Sequence, residues 1–229
     1  MTVNEAIYSV RKGIKQFSDD TSITNRSIIF EIDLGRAEYY DAIANSNRLK
    51  NIPEQAKQTI CLVLEEITNA QCGCTTTDCT ILRSVKQVPK VLSSKPRIAS
   101  AEFDSVSFNS VSWDRFIYSG HSRYNKDAVF SSLRSDDYVY IKSKNPLHKA
   151  MDCIYLTGIF AQPNDASEFQ NEDGTSCYDK STSEYPMDMA GFSKVKEMVI
   201  KKFLRDLRVP EDVINNAHDD TQGEARRKN

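Results

Sequence analysis

Cys61, Cys72, Cys74 and Cys79 crowd one stretch of the chain, and clustered thiolates are the ligand set that tetrahedral Zn²⁺ prefers. Their spacing is irregular. The Cys72-Gly73-Cys74 pair is tighter than the usual two-residue knuckle, and Cys61 falls in the middle of a strand pattern. Thiols packed in a strand–turn–strand unit explain the same residues without metal. One zinc per chain with chelator-sensitive folding would mark the metal reading. Cys153 and Cys177 read as a strand residue and a loop residue with no evident partner.

Other chemistry is thinner. His121, His148 and His218 are scattered, and none stands at a helical or hairpin spacing from a carboxylate or thiol. Glu65-Glu66 falls on a strand, where adjacent side chains point to opposite faces, so the two cannot act as a general acid–base pair. Asp136-Asp137 and Asp219-Asp220 read as solvated turns. No phosphate-binding glycine loop, nucleophile elbow or zinc-protease motif is present, and eight glycines leave little room for one. The expectation is a protein with no catalytic residues and no cofactor. Lys194, Lys196, Lys201, Lys202, Arg205 and Arg208 make one segment basic, and Arg226-Arg227-Lys228 lies near the last residue. A solvated helix face with cations near its C-terminal dipole explains them more simply than DNA binding does.

Any such groups must be held by a scaffold. At 229 residues, 39% hydrophobic and 27% charged, the composition is that of a globular protein with a real core. A net charge of −2 argues against a chain-wide grip on nucleic acid or anionic membrane. No apolar run approaches a membrane span, and Met1-Thr2-Val3-Asn4-Glu5 lacks the features of a secretion signal, so the thiols are expected to stay reduced.

Thr2-Val3-Asn4-Glu5 fits a capping box, and Val3, Ala6, Ile7, Val10 and Ile14 form a helical stripe behind it. A second helix is expected over 24–44, capped by Thr24. It carries Ile28, Ile29, Ile32, Tyr39, Tyr40 and Ile43 on one arc, with a further strip of Phe30, Leu34 and Ala37 on the far side. Glu31 and Glu38 fill one gap between the strips and Asp33 the other. One strip suits a helix on its own core; two imply packing from both sides, by the same chain or by a neighbouring copy. From residue 59 the period changes from 3.6 to 2. Six β segments are expected, over 59–66, 80–85, 97–103, 128–133, 138–142 and 153–160, with a short helical turn at Ser112-Trp113-Asp114-Arg115-Phe116. No long helix alternates with them, which favours an antiparallel sandwich or barrel over a parallel sheet. A polar loop over 171–184 precedes a third helix over about 188–207, and after Ile214 the chain has almost no apolar side chain. The fold class is α+β: a helical hairpin and a C-terminal helix (1–57 plus 185–229) with an inserted β block (58–184).

Specific words in the chain resemble a family. They are Ile23-Thr24-Asn25-Arg26-Ser27-Ile28-Ile29 after Asp19-Asp20, then Cys79-Thr80-Ile81-Leu82-Arg83-Ser84 with Val88-Pro89-Lys90. Trp113-Asp114-Arg115-Phe116, the run from Ile154 to Pro163, and Tyr185-Pro186-Met187 follow in order. The pattern resembles virion structural proteins of crAss-like tailed bacteriophages and their relatives, namely the head-to-tail adaptor, the ring below the portal in short-tailed phages. The resemblance implies a closed, dodecameric ring at the head–tail junction, assembled in the host cytoplasm. It would join the portal to the next ring or tail protein and continue the DNA channel without binding DNA specifically or touching membrane. It also implies an adaptor-like helical core with variable insertions and a C-terminal arm on the portal. On this reading Ile28, Phe30, Leu34, Tyr39 and Tyr40 lie partly at subunit contacts, and Val209, Pro210, Val213, Ile214, Arg226 and Arg227 meet the portal. The rival reading is a zinc-stabilised nucleic-acid-binding module using the cysteine turn and the basic helix.

Overall fold

The computed structural model describes residues 1–16, 23–46, 52–67, 81–92, 96–100, 108–119, 128–145, 148, 150–171, 173–179 and 182–206. Helix α1, Val3–Lys15, starts at the expected capping box. Glu5 N–H donates to Thr2 Oγ1 at 3.3 Å, and Thr2 N–H donates to Glu5 Oε2 at 2.9 Å. Helix α2, Asn25–Asn45, starts where Thr24 Oγ1 accepts from Ser27 N–H at 3.2 Å.

Seven described strands form one sheet. They are β1 (Gln58–Ile67), β2 (Ile81–Ser84), β3 (Arg97–Ser100), β4 (Asn109–Ser110), β5 (Phe130–Leu133), β6 (Val139–Lys142) and β7 (Cys153–Gly158), in the order β3-β7-β1-β2-β6-β5-β4. Each of the six expected segments contains a strand. The two-residue β4, which pairs parallel with β5, was not legible because its Asn and Ser carry no β pattern. Strand β1 organises the sheet. Its first six residues pair with β7, from Gln58↔Gly158 to Val63↔Cys153, and its last four with β2, from Leu64↔Ser84 to Ile67↔Ile81. One strand serving two neighbours in succession coils the sheet. The edges nearly meet: Phe108 N–H donates to Ile98 O at 2.9 Å, so the sheet is close to a barrel, and the sandwich alternative does not form.

Alternation along β1 sets the two faces. Ile60, Leu62 and Leu64 point inward with Leu82, Ile98, Val139, Ile141, Ile154 and Leu156 to fill the sheet's interior. The opposite face carries Ile67, Ile81, Phe130 and Tyr140 under the short helix α3, Trp113–Phe116. Trp113 stacks on Phe116 and meets Tyr140 edge-on, with centroids 5.4 and 4.8 Å apart. Ser112 stands at the α3 N-cap position, but its side chain makes no capping bond.

Helix α4, Met189–Asp206, begins at Asp188, whose Oδ2 accepts from Gly191 N–H at 3.1 Å. Together α1, α2 and α4 bury a separate core that takes in Ala56 and Ile159 from the Gln58/Gly158 end of the sheet. The helical layer therefore sits on that end. Gly35 lets α2 and α4 approach closely, since a Cβ there would stand 3.0 Å from Val195 Cγ1. Gly35→Leu should push the helices apart and cost about 2 kcal/mol or more, read as a lowered urea midpoint.

Candidate assembly surface on the helical layer

Helix α2 presents three kinds of side chain. Its inner face holds Ile28, Ile32 and Tyr40, which are 0, 2 and 1% exposed. Next to them, in the gap between the strips that holds Asp33, lies a buried polar group. Asp33 is 8% and Arg36 0% exposed. Arg36 donates from Nε to Pro186 O at 2.8 Å, from Nη1 to Phe160 O at 2.7 Å and from Nη2 to Ala56 O at 3.0 Å. One guanidinium thus ties α2 to the segments entering β1, leaving β7 and leading into α4. Asp33 Oδ1 accepts from Tyr185 Oη at 2.8 Å. Burial lowers the Arg36 pKa, while the phenols of Tyr185 and Tyr40 and the Asp33 carboxylate raise it. A helical-wheel reading misses this because the carbonyls come from residues 56, 160 and 186, far away in sequence. The available hint was an Asp-x-x-Arg pair flanked by apolar positions.

The tyrosines here make stability depend on alkaline pH. Tyr40 donates to Asp188 Oδ1 at 3.3 Å, whereas the buried Tyr178 hydroxyl finds no partner among the described residues. Burial pushes Tyr178 up to about 12, and raises Tyr40 and Tyr185 as well. Raised phenols keep their protons in the folded state while the unfolded chain loses them near pH 10. Their stabilising effect is therefore complete below pH 10 and lost as pH climbs through the folded values. The unfolding free energy should therefore fall as pH rises above about 10, as read from melting curves against pH.

The outer face of α2 is different. Phe30 is 59% and Leu34 38% exposed, and Met198 of α4 is 45% exposed. Lys194, Met198 and Lys202 lie four apart on one row of α4. Lys202 pairs with Glu31 at 2.6 Å, and the Lys194 Nζ sits 5.6 Å from the Tyr39 ring centroid. Both ends of that row are pinned on α2, so Met198 stands opposite the stretch bearing Leu34 and Gly35. The result is an apolar strip rimmed by charge. Contiguous exposed apolar surface is one signature of an interaction site.

Of the residues expected at subunit contacts, Phe30 and Leu34 are open and Tyr39 is half-buried. Ile28 and Tyr40 are buried in the chain's own core, unlike Tyr39 on the same wide arc of α2. The expected portal-contacting residues Val209, Pro210, Val213, Ile214, Arg226 and Arg227 lie outside the described residues, as do Cys72, Cys74, Cys79, His121 and His218. Cys61 is buried in β1, six positions before the Ile67 end from which the cysteine turn departs. Among the described residues no group of three or more His, Cys, Asp or Glu is placed to hold a metal. On the basic helix, Lys202 pairs with Glu31 and Lys201 with Glu197. Glu65 is drawn to Arg83 across β1 and β2, away from Glu66.

Residues 5–221 match the family described as Phage tail ring protein 2. The chain belongs to this family. A relative, Ring protein 2 of Bacteroides phage crAss001, is 31% identical over 223 residues, covering 96% of this chain and 98% of the relative. Among the described residues of this ring-family chain, no helix is long and apolar enough to cross a membrane.

Proposed function

We propose that the chain is a structural subunit of a ring in the phage head–tail connector, with shape and contact as its output and no catalytic step. The observation that carries this reading is the exposed Phe30–Leu34 strip on a helix whose opposite face is sealed. A helix that has already filled its own core gains nothing from two further large apolar side chains unless another surface covers them. The relative is named for a ring, and a ring is built from repeated contacts of one kind. In this reading residues 1–57 and 185–229 form the adaptor-like core, and 58–184 are an inserted β domain. The ring is dodecameric and sits in the virion at the head–tail junction after assembly in the host cytoplasm. It joins the portal to the next ring or tail protein. Near-neutral net charge suits a channel through which DNA slides without being held.

The arm over 209–229 would grip the portal through Val209, Pro210, Val213, Ile214, Arg226 and Arg227. A chain ending at residue 208 should still form rings but lose co-sedimentation with purified portal. Unchanged portal binding would overturn the arm's role, and portal binding absent from the full-length chain would overturn the connector position.

A further inference from the structure

A head-to-tail contact joins two different faces of one chain, so the ring proposed above needs a second surface to cover Phe30 and Leu34. Helix α1 carries one. Tyr8 is 69% exposed, and Glu5, Lys12 and Lys15 are exposed on the same stripe at helical steps of three or four. Read along α1 the stripe runs acid, aromatic, base. The exposed stripe of α2 runs in the opposite sense of charge: Arg26, then Phe30 and Leu34, then Glu38, at steps of four. Among the described residues none of Lys12, Lys15, Arg26 and Glu38 is held in a salt bridge. Glu5 caps its own helix and remains exposed.

We infer that α1 of one copy lies parallel along α2 of the next, with Tyr8 on Phe30 and Leu34, Lys12 and Lys15 beside Glu38, and Glu5 beside Arg26. The spacings agree. At about 1.5 Å of rise per residue, Glu5 to Tyr8 is about 4.5 Å and Glu5 to Lys15 about 15 Å. Arg26 to Phe30 is about 6 Å and Arg26 to Glu38 about 18 Å, differences that a flexible lysine or arginine side chain spans. Reversing one helix would set Lys15 beside Arg26 and Glu5 beside Glu38, so the charges select the parallel register. A second copy is the fitting occupant because the complement of α2 is present, in matching order, on the chain itself.

This inference rests on the ring reading and adds its partner surface. The test uses two full-length variants, Glu38→Lys and Lys12→Glu/Lys15→Glu, with assembly followed by sedimentation velocity. Each alone should need at least 100-fold more protein to form rings. Mixed in equal amounts they should assemble as the unmodified chain does, since each lysine face then finds a glutamate face, and that rescue also shows that both are folded. Normal assembly of either variant alone, or no rescue on mixing, overturns the inference. If Phe30→Asp/Leu34→Asp breaks rings while Lys12→Glu/Lys15→Glu does not, the ring reading stands and the α1 pairing falls. An unmodified chain that stays monomeric overturns the ring reading itself.

Discussion

Arg36→Met should destabilise the fold by about 3–5 kcal/mol, the largest single-residue loss expected in this molecule. The substitution keeps much of the side-chain length but removes every donor. The carbonyls of Ala56, Phe160 and Pro186 would then be buried without their guanidinium partner, and Asp33 would lose the cation next to it. Each orphaned acceptor carries a desolvation cost of about 1–3 kcal/mol, only part of which relaxation recovers. The joint between the helical layer and the sheet is made of these same carbonyls, so the damage falls on their docking. Arg36→Lys is the informative control. A single ammonium keeps the charge but cannot serve three carbonyls in three directions, so it should recover only part of the loss. Urea denaturation followed by circular dichroism measures both variants. A loss under about 1 kcal/mol for Arg36→Met would mean that the clamp contributes little.

Phe30→Asp/Leu34→Asp should leave a folded monomer that no longer assembles. Both side chains are exposed, so the chain's own core loses little when they change. Covering a large apolar side chain is worth about 1.5–3 kcal/mol, and a carboxylate in its place must be desolvated. Each contact is therefore expected to lose several kcal/mol, and the loss recurs at every interface of a closed ring. Sedimentation velocity reads the assembly, and an unchanged urea midpoint shows that the monomer is intact. If the variant unfolds instead, Phe30 and Leu34 belong to the chain's own core and the contact claim is lost.

Much of this architecture could be read from residue periodicity. The stripe from Val3 to Ile14, the capping box at Thr2 and Glu5, the Thr24 cap and the stripe of α4 are local patterns, and local hydrogen bonds and packing satisfy them. The change of period at residue 59 marked the strands for the same reason. What stayed hidden depends on distant partners. Asp33 read only as a gap between the strips and Arg36 drew no reading, because a helical wheel cannot show that carbonyls from three remote segments converge on one guanidinium. Tyr39 and Tyr40 share one wide arc of the wheel, yet Tyr40 turns inward to Asp188 while Tyr39 meets Lys194 at the rim. Strand β4 has no side-chain pattern of its own and exists through the backbone bonds of its neighbours. The second strip of α2 was visible as apolar residues, but only the packed helices show that Phe30 and Leu34 are left outside.

In the proposed ring, another copy of the same chain covers the outer face of α2. Native mass spectrometry of the full-length chain, titrated upward in concentration and with portal present, tests it most directly. A single closed species with a fixed number of copies is expected, which Phe30→Asp/Leu34→Asp reduces to monomer. A chain that remains monomeric at every concentration and on the portal would contradict it.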